Sequence, residues 1–119
     1  MKVRRADVVL LDLPFSTGAG AKVRPVLVVQ CDQDNSRLPN TIVAMITRTI
    51  HRTSHVDTQL LIDITTPEGR MSGLKVTSAV NCSNLFTVHA QFVRRKIGAL
   101  SQPTMQRVDD CLKAALGLR

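Results

Sequence analysis

"KVRPVLVVQCD", Lys22 to Asp32, joins an arginine directly to a proline and follows the pair with the unbroken apolar run Val26-Leu27-Val28-Val29. Proline fixes its own φ, has no N–H for a ladder and drives the residue before it toward an extended conformation. The pattern therefore predicts a strand that opens at Pro25 and runs through Val26 to Cys31. Arg24 is then held extended at the lip of that strand. A guanidinium in this place offers a planar, permanently charged fork that fits a phosphate, and it is equally compatible with a solvated arginine at a strand end.

The flanking sequence supplies neighbours for this strand. "ADVVLLDL", Ala6 to Leu13, is a Val/Leu-rich run closed by Pro14 and reads as a first strand buried on both faces or nearly so. "PFSTGAGAKV" between the two carries the Pro, Ser, Thr and Gly of a surface loop. Asp32 to Asn40 is a connection with room for one helical turn, and "TIVAMIT", Thr41 to Thr47, is a third strand. If it lies antiparallel to the second, the Thr47 hydroxyl comes to the same rim as Arg24. Thr47 also fits a β-branched strand residue with no further duty.

Downstream, polar and basic Arg48 to His55 reads as a loop, "VDTQLLIDI" as a fourth strand and "TTPEGRMSGL" as a turn region. "KVTSAVNCSNLFTV" reads as one long or bent strand and "RRKIGAL" as a short last one. The C-terminal end changes period. Ser101 suits an N-cap, Pro103 the first turn and Gly117 the stop, while Met105, Val108, Leu112 and Ala115 recur at helical spacing. Short consecutive strands followed by one helix predict a mainly β chain, a compact antiparallel barrel with the C-terminal helix packed on it.

Length and composition narrow the function. The 119 residues suit a single domain, 1–119, with one real core. No apolar run approaches the roughly 20 residues of a membrane span, and the N-terminus lacks the small-residue cleavage site of a signal peptide. A cytoplasmic chain with no membrane partner is expected. Cys31, Cys82 and Cys111 lie far apart with no C-x-x-C pair, and His51 and His55 lack an acidic third ligand, so neither a metal site nor a cofactor is expected. The net charge is +7, from 16 Lys+Arg against 9 Asp+Glu. No acidic residue falls between Gly69 and Val108, where Arg70, Lys75, Arg94, Arg95, Lys96 and Arg107 lie, or between Asn35 and Val56, where Arg37, Arg48 and Arg52 lie. Such clustering suits a polyanion partner.

Taken together, "RPVLVVQ" after a Gly-containing loop, then "IVAMIT", then "RKIGAL" running into a helix that ends "LKAALGL", resemble the MazF/PemK family of toxin ribonucleases over about Val3 to Leu118. The resemblance implies a small SH3-like barrel with a C-terminal helix, a homodimer, and metal-independent, sequence-specific cleavage of single-stranded RNA, usually mRNA, with a cognate antitoxin protein blocking the site. It makes Arg24 and Thr47 the catalytic candidates: the ribose 2′-OH attacks the adjacent phosphate, Arg24 neutralises the charge that develops and Thr47 donates a hydrogen bond to it. Lys22, Arg48, Arg52, Asn84 and Phe86 are the candidate RNA-binding residues. No general base is identified.

One departure from the family pattern stands at Ser83-Asn84-Leu85-Phe86-Thr87, where many members have an acid, Gln, an aliphatic residue and a cation before Thr. The amide persists as Asn84, and Phe86 is either a stacking surface for a base or a core residue. Two other classes remain open. One is a non-catalytic inhibitor resembling CcdB, which binds DNA gyrase; the other is a plain nucleic-acid-binding SH3-like module, against which the 3% aromatic content counts.

Overall fold

The computed structural model describes residues 2–13, 22–51 and 53–119. Six strands and three helices follow in the order β1 (Asp7–Leu13), β2 (Lys22–Val28), α1 (Asp32–Arg37), β3 (Asn40–Thr47), β4 (Gln59–Ile62), α2 (Pro67–Met71), β5 (Ser78–His89), β6 (Val93–Ala99) and α3 (Gln102–Leu116). One antiparallel sheet has the strand order β4-β5-β3-β2-β1-β6. The β-rich class with a C-terminal helix is as the sequence predicts. The barrel is open, with β4 and β6 as its edges.

Alternation along the strands sends side chains to two cores. Val8, Leu27, Ala44, Ile46 and Val80 face α3, where they meet Met105, Val108 and Cys111. Val9, Leu11, Val26, Val28 and Val43 face the opposite side with Val3, Val88 and Val93. A sheet buried on both faces explains why β1 and β2 read as continuous apolar runs. Cys82 and Cys111 lie in the first core, and burial pushes the Cys82 thiol up to about 12.

The ends of α3 are set by local chemistry. The Ser101 hydroxyl accepts from the Thr104 N–H, Pro103 occupies the first turn, and Gly117 closes the helix at φ +70° with the Leu118 N–H donating to the Lys113 carbonyl at 2.8 Å. Arg5 locks the helix to the sheet: its Nε donates to the Val29 carbonyl at 2.9 Å and its Nη2 pairs with Asp109. No helix among the described residues is long and apolar enough to cross a membrane.

Three of the boundaries that differ from the sequence reading bear on the fold. The segment "TTPEGRMSGL" contains the short helix α2, capped by Thr66 with Pro67 at its first position. The fourth strand is trimmed to Gln59–Ile62. The third difference concerns Pro25: β2 begins at Lys22, three residues earlier, and Pro25 lies inside it opposite Leu10.

Candidate functional site

The position of Pro25 creates the site. Val28 accepts from the Ala6 N–H and Val29 donates to Ile42, so odd-numbered residues of β2 turn their backbone groups toward β3 and even-numbered ones toward β1. The β2–β3 register runs Val28↔Val43, Leu27↔Ala44, Val26↔Met45 and then stops. Continued by one step it would set Pro25 opposite Ile46 as the next hydrogen-bonded pair, and Pro25 has no N–H to give. Beyond that point β2 stays on β1 as far as Lys22↔Leu13, and β3 stays on β5 as far as Thr47↔Ala79. The sheet forks between β2 and β3.

Continued by two steps, the same register would set Arg24 opposite Thr47, one on each side of the fork. By strand alternation Arg24 shares the face of Val26 and Val28, and Thr47 that of Val43 and Met45, so both belong to the face turned from α3. Both line a cavity of about 1020 Å³. Arg24 and Thr47 therefore share a face and a cavity, while the β2–β3 pairing itself ends at Val26↔Met45. The Thr47 Oγ1 accepts from the Thr49 N–H, which fixes the hydroxyl's orientation.

Of the other candidates, Lys22, Arg48 and Asn84 line the same cavity. Asn84 arrives through a bulge: β5 pairs Asn81 with Met45 and Leu85 with Ala44, leaving Cys82, Ser83 and Asn84 unmatched against β3. The Asn81 side-chain oxygen braces the bend by accepting from the Ser83 N–H at 3.0 Å. Phe86, two residues further on, does not line the cavity. It is half-buried and packs against the core of Val26, Val43 and Val88. Arg52 and the loop over residues 14–21 lie outside the described residues.

The cavity also gathers residues that local sequence did not single out: Ser78 and Asn81 from β5, Lys75 from the segment after α2, and Arg95 and Lys96 from β6. Among the described residues six cations line it and no carboxylate does. Lys96 is neutralised by Asp7 at 3.1 Å; among the described residues Lys22, Arg24, Arg48, Lys75 and Arg95 make no ion pair. Lys75 and Arg95 both fall in the acid-free run from Gly69 to Val108, which is the one sequence signal that pointed to them.

Among the described residues no histidine lines the cavity. His89 pairs with Asn40 at the opposite end of β3 from Thr47, about 23 Å along the strand at about 3.3 Å per residue. Among the described residues no group of three or more His, Cys, Asp or Glu side chains is placed to hold a metal ion. The described residues offer permanent positive charge, the hydrogen-bonded hydroxyls of Thr47 and Ser78, and the amides of Asn81 and Asn84 around an open cleft. This is the equipment for gripping a phosphodiester.

Solved structures share the fold. An endoribonuclease in complex with its cognate antitoxin, from a mycobacterial species, superposes with a TM-score of 0.78 at 21% identity, covering 98% of this chain and 97% of that one. The Mycobacterium tuberculosis toxin MazF-mt6 matches with a TM-score of 0.75 at 25% identity over 95% of this chain and 98% of its own. A MazE–MazF structure from Deinococcus radiodurans matches with a TM-score of 0.71 at 16% identity, covering all of both chains. A family model described as PemK-like, MazF-like toxin of type II toxin–antitoxin system matches residues 4–116, and the chain belongs to that family.

Proposed function

We propose that this toxin-family chain is a metal-independent endoribonuclease that cuts single-stranded RNA at short specific sequences. The reading is supported by one observation: Arg24 and Thr47, on strands that part between β2 and β3, line one cleft to which the described residues bring cations and no carboxylate. In the reaction the 2′-oxygen attacks phosphorus as its proton leaves, the bond to the 5′-oxygen breaks, and that oxygen gains a proton. The products are a 2′,3′-cyclic phosphate and a 5′-hydroxyl. Arg24 neutralises charge building on the phosphorane oxygens and Thr47 donates to one of them. Oriented donors of this kind are typically worth roughly 10²- to 10³-fold in rate each. Lys22, Arg48, Arg52 and Asn84 hold the strand, while Phe86 packs in the neighbouring core.

The same reading includes an antitoxin partner, a homodimer and a cytoplasmic location. The mycobacterial endoribonuclease is in complex with its cognate antitoxin and the Deinococcus MazF with MazE, which supports the first of these. The test is incubation of the purified protein with a mixed RNA in the presence of a chelator, with cut ends mapped and a substrate carrying a 2′-deoxy sugar at the cut site as control. Cleavage of the deoxy substrate would rule out 2′-OH attack. Intact RNA together with co-purified gyrase would move the protein to the CcdB-like class.

A further inference from the structure

We propose that Lys75 and Arg95 form a second phosphodiester subsite, which holds the RNA strand within about three nucleotides of the phosphate at Arg24 and Thr47. This rests on the reading of the cavity as the place where an RNA strand enters.

The two cations come from different elements and line the same cavity. Arg95 is opposite Leu10 on β1, as is Pro25. Leu10 alternates with Val9 and Leu11, so Arg95 belongs to the opposite face of the sheet from Arg24, which pairs with Leu11. Arg95 nevertheless lines the same cavity as Arg24. Lys75 follows Gly73, whose backbone lies so close to β6 that a Cβ there would stand 2.0 Å from the Ile97 carbonyl oxygen.

Charge distribution singles out these two residues from their neighbours. On β6, Arg94 lies 3.9 Å from Asp12 and Lys96 lies 3.1 Å from Asp7, so both are committed to β1 carboxylates. Arg95 between them has no carboxylate partner among the described residues, and neither has Lys75. The same cavity is lined by apolar Leu10, Pro25 and Ile97. Apolar lining together with unpaired cations suits a short stretch of strand whose bases contact the apolar side chains and whose phosphates reach the cations.

The spacing fits a strand. β2 and β6 flank β1, so the Arg24 and Arg95 backbones stand about 10 Å apart, two interstrand spacings. At the roughly 3.4 Å per nucleotide of a stacked strand that is about three nucleotides, and fewer when the strand is extended.

The test uses 2′-O-methyl oligonucleotides of mixed sequence, which cannot be cut by 2′-OH attack, as a dinucleotide and an octanucleotide, with affinity followed against salt. The wild type should bind the octanucleotide much more tightly than the dinucleotide. Lys75→Ala with Arg95→Gln should cut that gain by roughly tenfold or more and reduce the salt slope by about 0.7 for each phosphate contact removed. Arg95→Lys, which keeps the charge, should restore most of the slope, a rescue that a merely structural arginine would not show. A wild type that binds the octanucleotide and a double variant with the same affinity and slope would overturn the subsite alone. A wild type that binds neither probe would overturn the subsite and the nuclease reading together. Binding with the expected loss in the variants, but no cleavage of unmodified RNA by the wild type, would support the subsite while ending the nuclease reading.

Discussion

The Thr49 backbone N–H donates to the Thr47 Oγ1 at 3.1 Å, so the hydroxyl that shares a cleft with Arg24 is held by its own chain two residues on. An oxygen that accepts this bond still has its proton to donate to a ligand. Removing the hydroxyl at constant shape is the sharp test. Thr47→Val should lower kcat for RNA cleavage by roughly 10²- to 10³-fold with KM near wild type, while Thr47→Ser should stay within a few-fold. A Thr47→Val enzyme with normal kcat would remove Thr47 from the chemistry.

Pro25 gives a second prediction, in which stability and activity move apart. Pro25→Val supplies the missing donor opposite Ile46 and should extend the β2–β3 ladder by one pair. A new backbone hydrogen bond contributes about 0.5–1.5 kcal/mol, offset in part by the freer unfolded chain. The melting temperature should therefore hold or rise while RNA cleavage falls at least tenfold, because the fork between Arg24 and Thr47 closes. Hydrogen exchange at the new amide of position 25 reports the closure directly.

Gly73 and Gly117 form a matched pair for separating two costs. Both have left-handed backbones, at φ +73° and +70°, but a Cβ at Gly73 meets the Ile97 carbonyl at 2.0 Å and one at Gly117 meets nothing within 4 Å. Gly117→Ala should cost only the left-handed penalty, about 1–2 kcal/mol. Gly73→Ala should cost that plus about 1–3 kcal/mol of overpacking, and should also weaken RNA binding by displacing Lys75. Thermal melts of the two variants give the difference.

The Cys82 thiol is raised from 9.0 to about 12, first by burial and then by Cys111 and Asp109. The folded chain keeps this proton where the unfolded chain loses it. Stability from this group is thus complete below pH 9.0 and declines as pH rises toward about 12. The slope approaches about 1.4 kcal/mol per pH unit. Melting temperature followed from neutral pH to about pH 10.5 should fall less steeply in Cys82→Ala than in wild type. In the native protein at neutral pH a thiol reagent should label exposed Cys31 and leave Cys82 unmodified.

The parts of the fold that were legible in the sequence are those fixed by neighbours along the chain. Ser101 and Gly117 mark the ends of α3 because capping needs only residues within one turn of it. Thr66 and Pro67 carried the same kind of signal for α2 and could have been read in the same way. Pro25 could not, since the effect of a proline in a strand depends on which neighbour its missing N–H would face, and that is decided by register. The site followed the same division. Arg24 and Thr47 lie on adjacent strands and could be paired from the sequence. Arg95 reaches the cavity only because the last strand pairs with the first, a contact that no local pattern announces.

The crowd of cations around the cleft has a bearing on the empty protein as well as on its ligand. Five uncompensated positive side chains facing one space repel one another, and that repulsion is part of the folded state's free energy. At low ionic strength the unliganded chain should melt at a lower temperature than at moderate salt, where screening over about 10 Å relieves the strain. A polyanion in the cleft should raise the melting temperature further by mass action. The durability of the folded chain is then set by the company it keeps: least stable alone in dilute buffer, most stable with its cleft filled.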